Sequence, residues 1–288
     1  MTIKEKGYVH WKGELVSRRF PWKPITRNGI RLTFKKKFFK FFFIMSFVPA
    51  VFFLAVIYVS ERLEDFKFML QDTSVLKVDP AFFESYFTND FLLFMMVMIL
   101  VFAGAGLISD DLRHNSLQLY FARPITKRDF FLGKISVLFF FLLLVTFIPG
   151  FVLFLMKLVF SGSFKFFATY PWLPLSIIAY SFFVTFFFSF YALLLSSLSK
   201  NRRYVSIQIF GLYIFTDILY GIFSELFKSP YFSLLSIKSN IQQIGAFLFN
   251  QPLEHDVPWI LSFLVLCAVG ALAAFVLSKR IKGVQVVK

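Results

Sequence analysis

The sequence predicts an all-α integral membrane protein with six transmembrane helices. Three features carry the prediction. Hydrophobic residues make up 58% of the chain and the mean hydropathy is +0.72. Apolar runs long enough to cross a bilayer recur, and the Lys and Arg residues between them segregate to one side. Crossing the hydrocarbon core takes about 20 mostly apolar residues at about 1.5 Å rise each. Six segments meet that length, roughly 38–59, 91–109, 135–156, 174–198, 204–223 and 258–278. The runs are continuous rather than alternating, so they read as helices and not as barrel strands.

Counting bases between the spans sets the orientation. Twelve lie in the first 40 residues, five in the second connection (Arg113, Arg123, Lys127, Arg128, Lys134), three at Lys200, Arg202 and Arg203, and four in the tail, so that 24 of the 31 share one side. The connection over 61–90 carries seven acids against three bases and belongs on the other side. Both termini are expected in the cytoplasm, with the chain multi-pass in the cell (inner) membrane. The formal net charge of +15 is then mostly topology. No nucleic-acid partner is needed, because attraction to anionic lipid, about 1 kcal/mol per base near the surface, accounts for the same residues.

Residues 1–40 form a basic N-terminal region ahead of a six-span domain over 38–288. Within it, residues 28–40 interleave Ile30, Leu32, Phe34, Phe38 and Phe39 with bases, the pattern of a helix lying in the membrane interface. The preceding RRFPWKPITRNG, with Pro21 and Pro24, reads as extended; a plain polybasic membrane anchor fits the same residues. No small-residue cleavage site follows the first apolar run, so that run is expected to act as its own insertion signal. Pro149-Gly150 should bend the third span, and Lys157 should snorkel from its outer end. Along the fourth span Ser176, Ser181, Thr185, Ser189, Ser196 and Ser197 mark either close helix packing or the lining of a path. The fifth is interrupted by Gln208, Gly211, Thr216, Asp217 and Gly221. Asp217 is a functional candidate because burying a carboxylate in lipid is costly, and pairing with a neighbour near the outer interface explains it as well. Between 224 and 257, Leu234, Ile237, Ile241, Ile244 and Leu248 fall on one helical stripe, a helix that lies on the membrane or dips into it.

The segment from 106 to 134, GLISDDLRHNSLQLYFARPITKRDFFLGK, is polar and charged between two apolar runs. Asp110 and Asp111 stand where the second span leaves the membrane, and Leu112, Asn115, Ser116, Leu119 and Tyr120 allow a short interfacial helix. Arg123-Pro124 stops it, since proline disfavours helix at the residue before it and lacks an N–H. Thr126 with Asp129 three residues on has the spacing of a capping box, opening a helix through Phe130, Phe131 and Gly133 into the third span. The result is a compact knob suited to a groove on a cytoplasmic partner; an ordinary interfacial loop fits the pattern equally.

Several chemistries lack their residues. The single cysteine, Cys267, lies within the last span, so neither an internal disulfide nor a thiolate cluster can form. His10 and His114 fall on the side opposite His255 and cannot share a metal with it. No HExxH occurs, and no Ser, His and acid share a membrane layer. The nearest approach to a phosphate-binding loop is Gly133-Lys134, with Arg128 in place of the first glycine and Ile135 in place of the hydroxyl. The chain therefore reads as non-enzymatic and without a cofactor of its own; if ATP drives it, another polypeptide binds the ATP.

On these residues the chain resembles the membrane subunits of type 2 ATP-binding cassette (ABC-2) exporters. Their second span ends in an acid, followed by a small or Thr residue, spaced leucines, Arg or Ser before Pro-Ile, then a base, an aromatic and Gly-Lys. Here Asp110-Asp111 stand for the acid, Asn115-Ser116-Leu117 for the next part, and Arg123-Pro124-Ile125-Thr126-Lys127-Arg128-Asp129-Phe130-Phe131-Leu132-Gly133-Lys134 for the rest. Where the family commonly has Glu, this chain has the Asp pair, with shorter reach. The resemblance implies a permease half that pairs with a second copy or a paralogue, and two cytoplasmic ABC ATPase subunits that hold ATP and Mg. It makes 106–134 the coupling helix region, with Asp110, Asp111, Arg113, Leu117, Tyr120, Arg123, Pro124, Thr126, Arg128, Asp129, Gly133 and Lys134 at the ATPase contact. It also makes the N-terminal interfacial helix a connecting helix, and places short re-entrant helices before the sixth span to close the outer side.

Asp217, Thr185 and Ser189 are the pathway candidates. Lipids, lipid-linked glycans or amphipathic peptides are the expected substrates, because little continuous polar lining is visible. Two rivals stand beside this reading. An ion-coupled secondary transporter needs intramembrane ionisable groups and usually internal repeats, of which the chain has one candidate acid and no convincing repeat. A non-transporting anchor that recruits a partner would use the same loop for docking.

Overall fold

A computed structural model describes residues 20–62, 77–121 and 125–280, the side chains of Leu119 and Phe121 excepted. All regular structure among the described residues is helical. An N-terminal helix α1 (Lys23–Phe34) leads into α2 (Lys37–Met45) and α3 (Val48–Glu61), which together make the first span. The second joins α4 (Pro80–Phe87), α5 (Asp90–Ile99), one π-helical turn (Leu100–Gly104) and α6 (Gly106–Arg113). After α7 (Ser116–Phe121) the third span is α8 (Lys127–Val145) with α9 (Phe147–Ser161), followed by the short α10 (Lys165–Thr169). The fourth is α11 (Leu173–Leu198) and the fifth α12 (Arg202–Phe227). A 3-10 turn (Pro230–Leu235) and α13 (Ile237–Leu248) precede the last span, α14 (Trp259–Arg280).

All six expected spans are present. The second reaches further back than expected because Asp79 caps α4 by accepting from Phe82 N at 3.1 Å, and Asn89 then caps α5. Prolines break two others. A helical proline has no N–H and crowds the carbonyl four residues back. Pro49 accordingly follows the break at Ser46–Phe47, and Pro149 the break at Thr146, the bend expected there. The crowded carbonyl of Val145 is taken up by the Tyr86 hydroxyl, which donates to it at 3.3 Å.

The N-terminal region departs from its expected form. The stretch expected to be extended is helical from Lys23 onward, because Pro24 sits in the first turn, where a missing N–H costs nothing. The interfacial helix expected over 28–40 is split: Lys36 is extended (φ −83°, ψ 122°), so residues up to Phe34 belong to α1 and those from Lys37 to the first span. Residues 1–19 lie outside the described residues. α1 lies on α8, its Phe34 joining Phe39, Phe43 and Phe141 in one aromatic cluster with centroids 4.7–5.8 Å apart.

Burial divides the spans. In their most apolar stretches the second and fourth are 67% buried and the third 56%, against 22%, 17% and 22% for the first, fifth and sixth. Lys157 does not snorkel. It is buried and ion-paired with Glu61 at the end of the first span, with its ammonium 5.4 Å from the Phe166 ring, because packing of α9 on α3 brings the carboxylate to it. α13 packs inward against α11, α12 and α14 and does not lie flat. It buries Asn240 and Gln243 together with Ile241 and Ile244, and Ser176 donates to its Leu248 carbonyl at 2.7 Å.

Candidate coupling site

The segment between the second and third spans is closed at its base. Asp111, in the last turn of α6, and Lys134, in the second turn of α8, form an ion pair of 2.6 Å, their side chains 14% and 11% exposed. The Lys134 ammonium also lies 5.3 Å from the Phe130 ring and 5.7 Å from that of Tyr120, and these two rings meet edge to face at 5.1 Å. One side chain thus ties α6, α7 and α8 together. Burial, and then the Asp111 carboxylate, push the Tyr120 phenol up from its ordinary value.

Local chemistry shapes the rest. The backbone of Asn115 is left-handed (φ 52°), turning the chain from α6 into α7, a conformation Asn tolerates better than most residues. Thr126 and Asp129 form the expected capping box: Asp129 N donates to Thr126 Oγ1 at 3.2 Å and Thr126 N to Asp129 Oδ2 at 3.1 Å. Arg123 and Pro124 lie outside the described residues.

The expected contact residues separate into two groups. Asp111, Tyr120, Gly133 and Lys134 face inward and build the knob, and half-buried Leu117 packs on the core. Arg113, Thr126 and Arg128 are exposed, together with His114, Asn115, Gln118 and Lys127. Asp110 lies between, its carboxylate against Gly106 near Arg202.

α1 buttresses the knob. Thr26 Oγ1 donates to the Gly133 carbonyl at 3.1 Å, and a Cβ on Gly133 would lie 2.7 Å from Cβ of Ile25. Gly29 is as tight against Val137. Only two glycines, each facing the other's helix, mark this contact in the sequence.

Above the knob, the π turn is held by other spans. Lys36 Nζ donates to the Phe102 carbonyl at 2.8 Å and the Arg202 guanidinium to the same oxygen at 3.3 Å. Burial, then repulsion from Arg202, lower the Lys36 ammonium to about 8, with Asp110 acting in the opposite direction. Ser196 of α11 accepts from Ile108 N and Ser109 N at 3.0 and 3.1 Å and donates to the Ala105 carbonyl at 2.8 Å. That serine therefore serves packing.

The pathway candidates are not assembled into one group. Tyr191 of α11 donates to the Ile209 carbonyl of α12 at 2.8 Å, and Phe188 meets Tyr213, an antiparallel register that sets Asp217 near the level of Thr185. The Asp217 carboxylate, however, accepts from Ser236 at the start of α13 at 2.9 Å. Thr185 and Ser189 are fully buried, and their hydroxyls have no hydrogen-bond partner among the described residues.

Six apolar spans, with a buttressed polar knob between the second and third, define a multi-pass membrane protein. The sequence model of the family described as ABC-2 family transporter protein matches residues 31–280, and the chain belongs to that family. It is the permease component of an ABC transporter; such components are generally non-enzymatic and associate with an ABC ATPase subunit. A comparison with curated proteins gives no match.

Proposed function

We propose that this chain is one permease half of an ATP-driven exporter, with the 106–134 knob as the surface that takes up force from a cytoplasmic ATPase. The observation that carries the reading is the Asp111–Lys134 closure, which ties α6 and α8 together at the base of the loop, with α1 held to α8 by Thr26, while leaving Arg113, His114, Gln118, Lys127 and Arg128 exposed. A push on that rim would move two spans and the N-terminal helix together. ATP and Mg belong to the ATPase, and two ATPase subunits serve two permease copies. In this reading both termini face the cytoplasm and the complex sits in the inner membrane, an orientation supported by the distribution of bases.

The second copy, identical or a paralogue, seats on the exposed face of α12. That face carries Gln208, Gly211 and Phe215 along an open groove shared with Leu195 and Ile207, and its amide has less to gain from lipid than from a helix partner. Asp217, Thr185 and Ser189, at similar depth on neighbouring spans, belong to the route of a lipid, lipid-linked glycan or amphipathic peptide.

The test is reconstitution of the chain with its co-purifying ATPase in proteoliposomes, following fluorescent lipid and amphipathic peptide. Movement should require hydrolysable ATP and fall at least tenfold in an Arg113→Glu, Arg128→Glu variant. Movement driven by an ion gradient without ATP would establish the carrier instead.

A further inference from the structure

Two cations converge on one backbone oxygen where the first and fifth spans begin. Lys36, at the α1–α2 junction, and Arg202, in the first turn of α12, both donate to the Phe102 carbonyl. Phe102 lies in the π turn closed by Ala105 N on the Leu100 carbonyl at 3.1 Å, and single π turns inside α-helices are frequent at functional sites.

A carbonyl dipole does not neutralise two full charges. The ion pairs among the described residues are Lys134–Asp111, Lys157–Glu61 and Lys238–Asp90, so neither cation has a carboxylate in contact. The Lys36 ammonium is lowered first by its burial and then by repulsion from Arg202. The Asp110 carboxylate, near Arg202 at Gly106, offsets one of the two charges without pairing directly with either cation, so a net positive charge is left. An acceptor with formal negative charge would relieve it.

The pair has an apolar wall beside it. Phe38 and Phe42 stack on the Phe102 ring at 6.2 and 5.3 Å, and Phe38 is 71% exposed. Cations at interface depth, with an exposed aromatic surface running from them toward the bilayer, match an amphiphile with an anionic head.

We propose that Lys36 and Arg202 bind the phosphate of an anionic phospholipid headgroup between the first and fifth spans, with an acyl chain along Phe38 and Phe42. The site requires the membrane placement of the spans and is independent of the coupling function. The bound lipid bridges the N-terminal helix to the span proposed to carry the second copy.

Native mass spectrometry of the purified full chain in neutral detergent tests the site, with phosphatidylglycerol, phosphatidylcholine and inorganic phosphate as probes. Phosphatidylglycerol should bind at least tenfold more tightly than phosphatidylcholine, and Lys36→Gln with Arg202→Gln should abolish that difference. Lys200→Gln with Lys279→Gln, a pair of exposed bases that make no hydrogen bond to Phe102, should leave it intact. Equal binding of the two lipids, or equal loss in the control pair, overturns the proposal. Saturation of the same site by inorganic phosphate at the affinity of phosphatidylglycerol overturns the lipid assignment. If the double variant does not fold, each single variant carries the same comparison, and phosphatidylglycerol must raise the thermal midpoint of the unaltered chain above the value in phosphatidylcholine; no difference overturns the site.

Discussion

Gly150 in the third span lies so close to the Phe87 ring that a Cβ would come within 2.3 Å of it, whereas nothing approaches within 4 Å of the Cβ positions of Gly211 and Gly221 in the fifth. The contrast extends to the backbone. The π turn of the second span and the Pro149 break of the third sit in the interior, where Ser196, Tyr86, Lys36 and Arg202 take up the disturbed groups. The fifth and sixth spans are uninterrupted α-helices with few buried residues. Lipid offers no hydrogen-bond partners, so irregular backbone survives only where protein surrounds it. The fifth span obeys that rule in its backbone but carries an exposed Gln208, the residue behind its proposed role as a face for another helix.

The interior should be the fragile half. Replacing Lys134 with Met strands the Asp111 carboxylate in a poorly hydrated site and should cost about 4 kcal/mol, read as a lowered thermal midpoint in detergent; adding Asp111→Leu should restore much of it. Gly150→Leu should cost about 3 kcal/mol by overpacking. Gly211→Leu should leave the thermal midpoint of the single chain unchanged and weaken self-association in cross-linking, so a Gly211 variant as unstable as the Gly150 variant would erase the contrast. Ser196→Ala should cost about 2 kcal/mol, because two buried N–H groups lose their acceptor, with faster hydrogen exchange at Ile108 and Ser109.

The smallest effect concerns pH. Lys36 is lowered from the ordinary lysine value of 10.5 to about 8, so between these values the unfolded chain binds more protons than the folded one. Stability should therefore rise with pH across that window and be lowest below about 8. Lys36→Gln should flatten the rise in a thermal midpoint series from pH 7 to 10.

The six spans were legible because run length and composition suffice, and the Thr126–Asp129 cap because its spacing is local. Features that depend on distant partners were not. Lys157 read as a snorkelling residue because its carboxylate, Glu61, lies 96 residues away in sequence. The Asp111–Lys134 closure joins two residues singled out for another reason. Pro24 read as a breaker although a proline in the first turn starts a helix. The π turn has no mark of its own beyond the small residues Ala103 to Gly106, and α13 buries polar and apolar residues alike, which defeats a reading based on one apolar stripe.

Coupling through the exposed rim of the knob is tested most directly by affinity purification in mild detergent with mass spectrometry of partners. The unaltered chain should retain an ABC ATPase in stoichiometric amount. The Arg113→Glu, Arg128→Glu variant, with an unchanged thermal midpoint, should lose at least tenfold of it. A chain that purifies alone, or a variant that holds the ATPase as well as the unaltered chain, would contradict the knob as the coupling site.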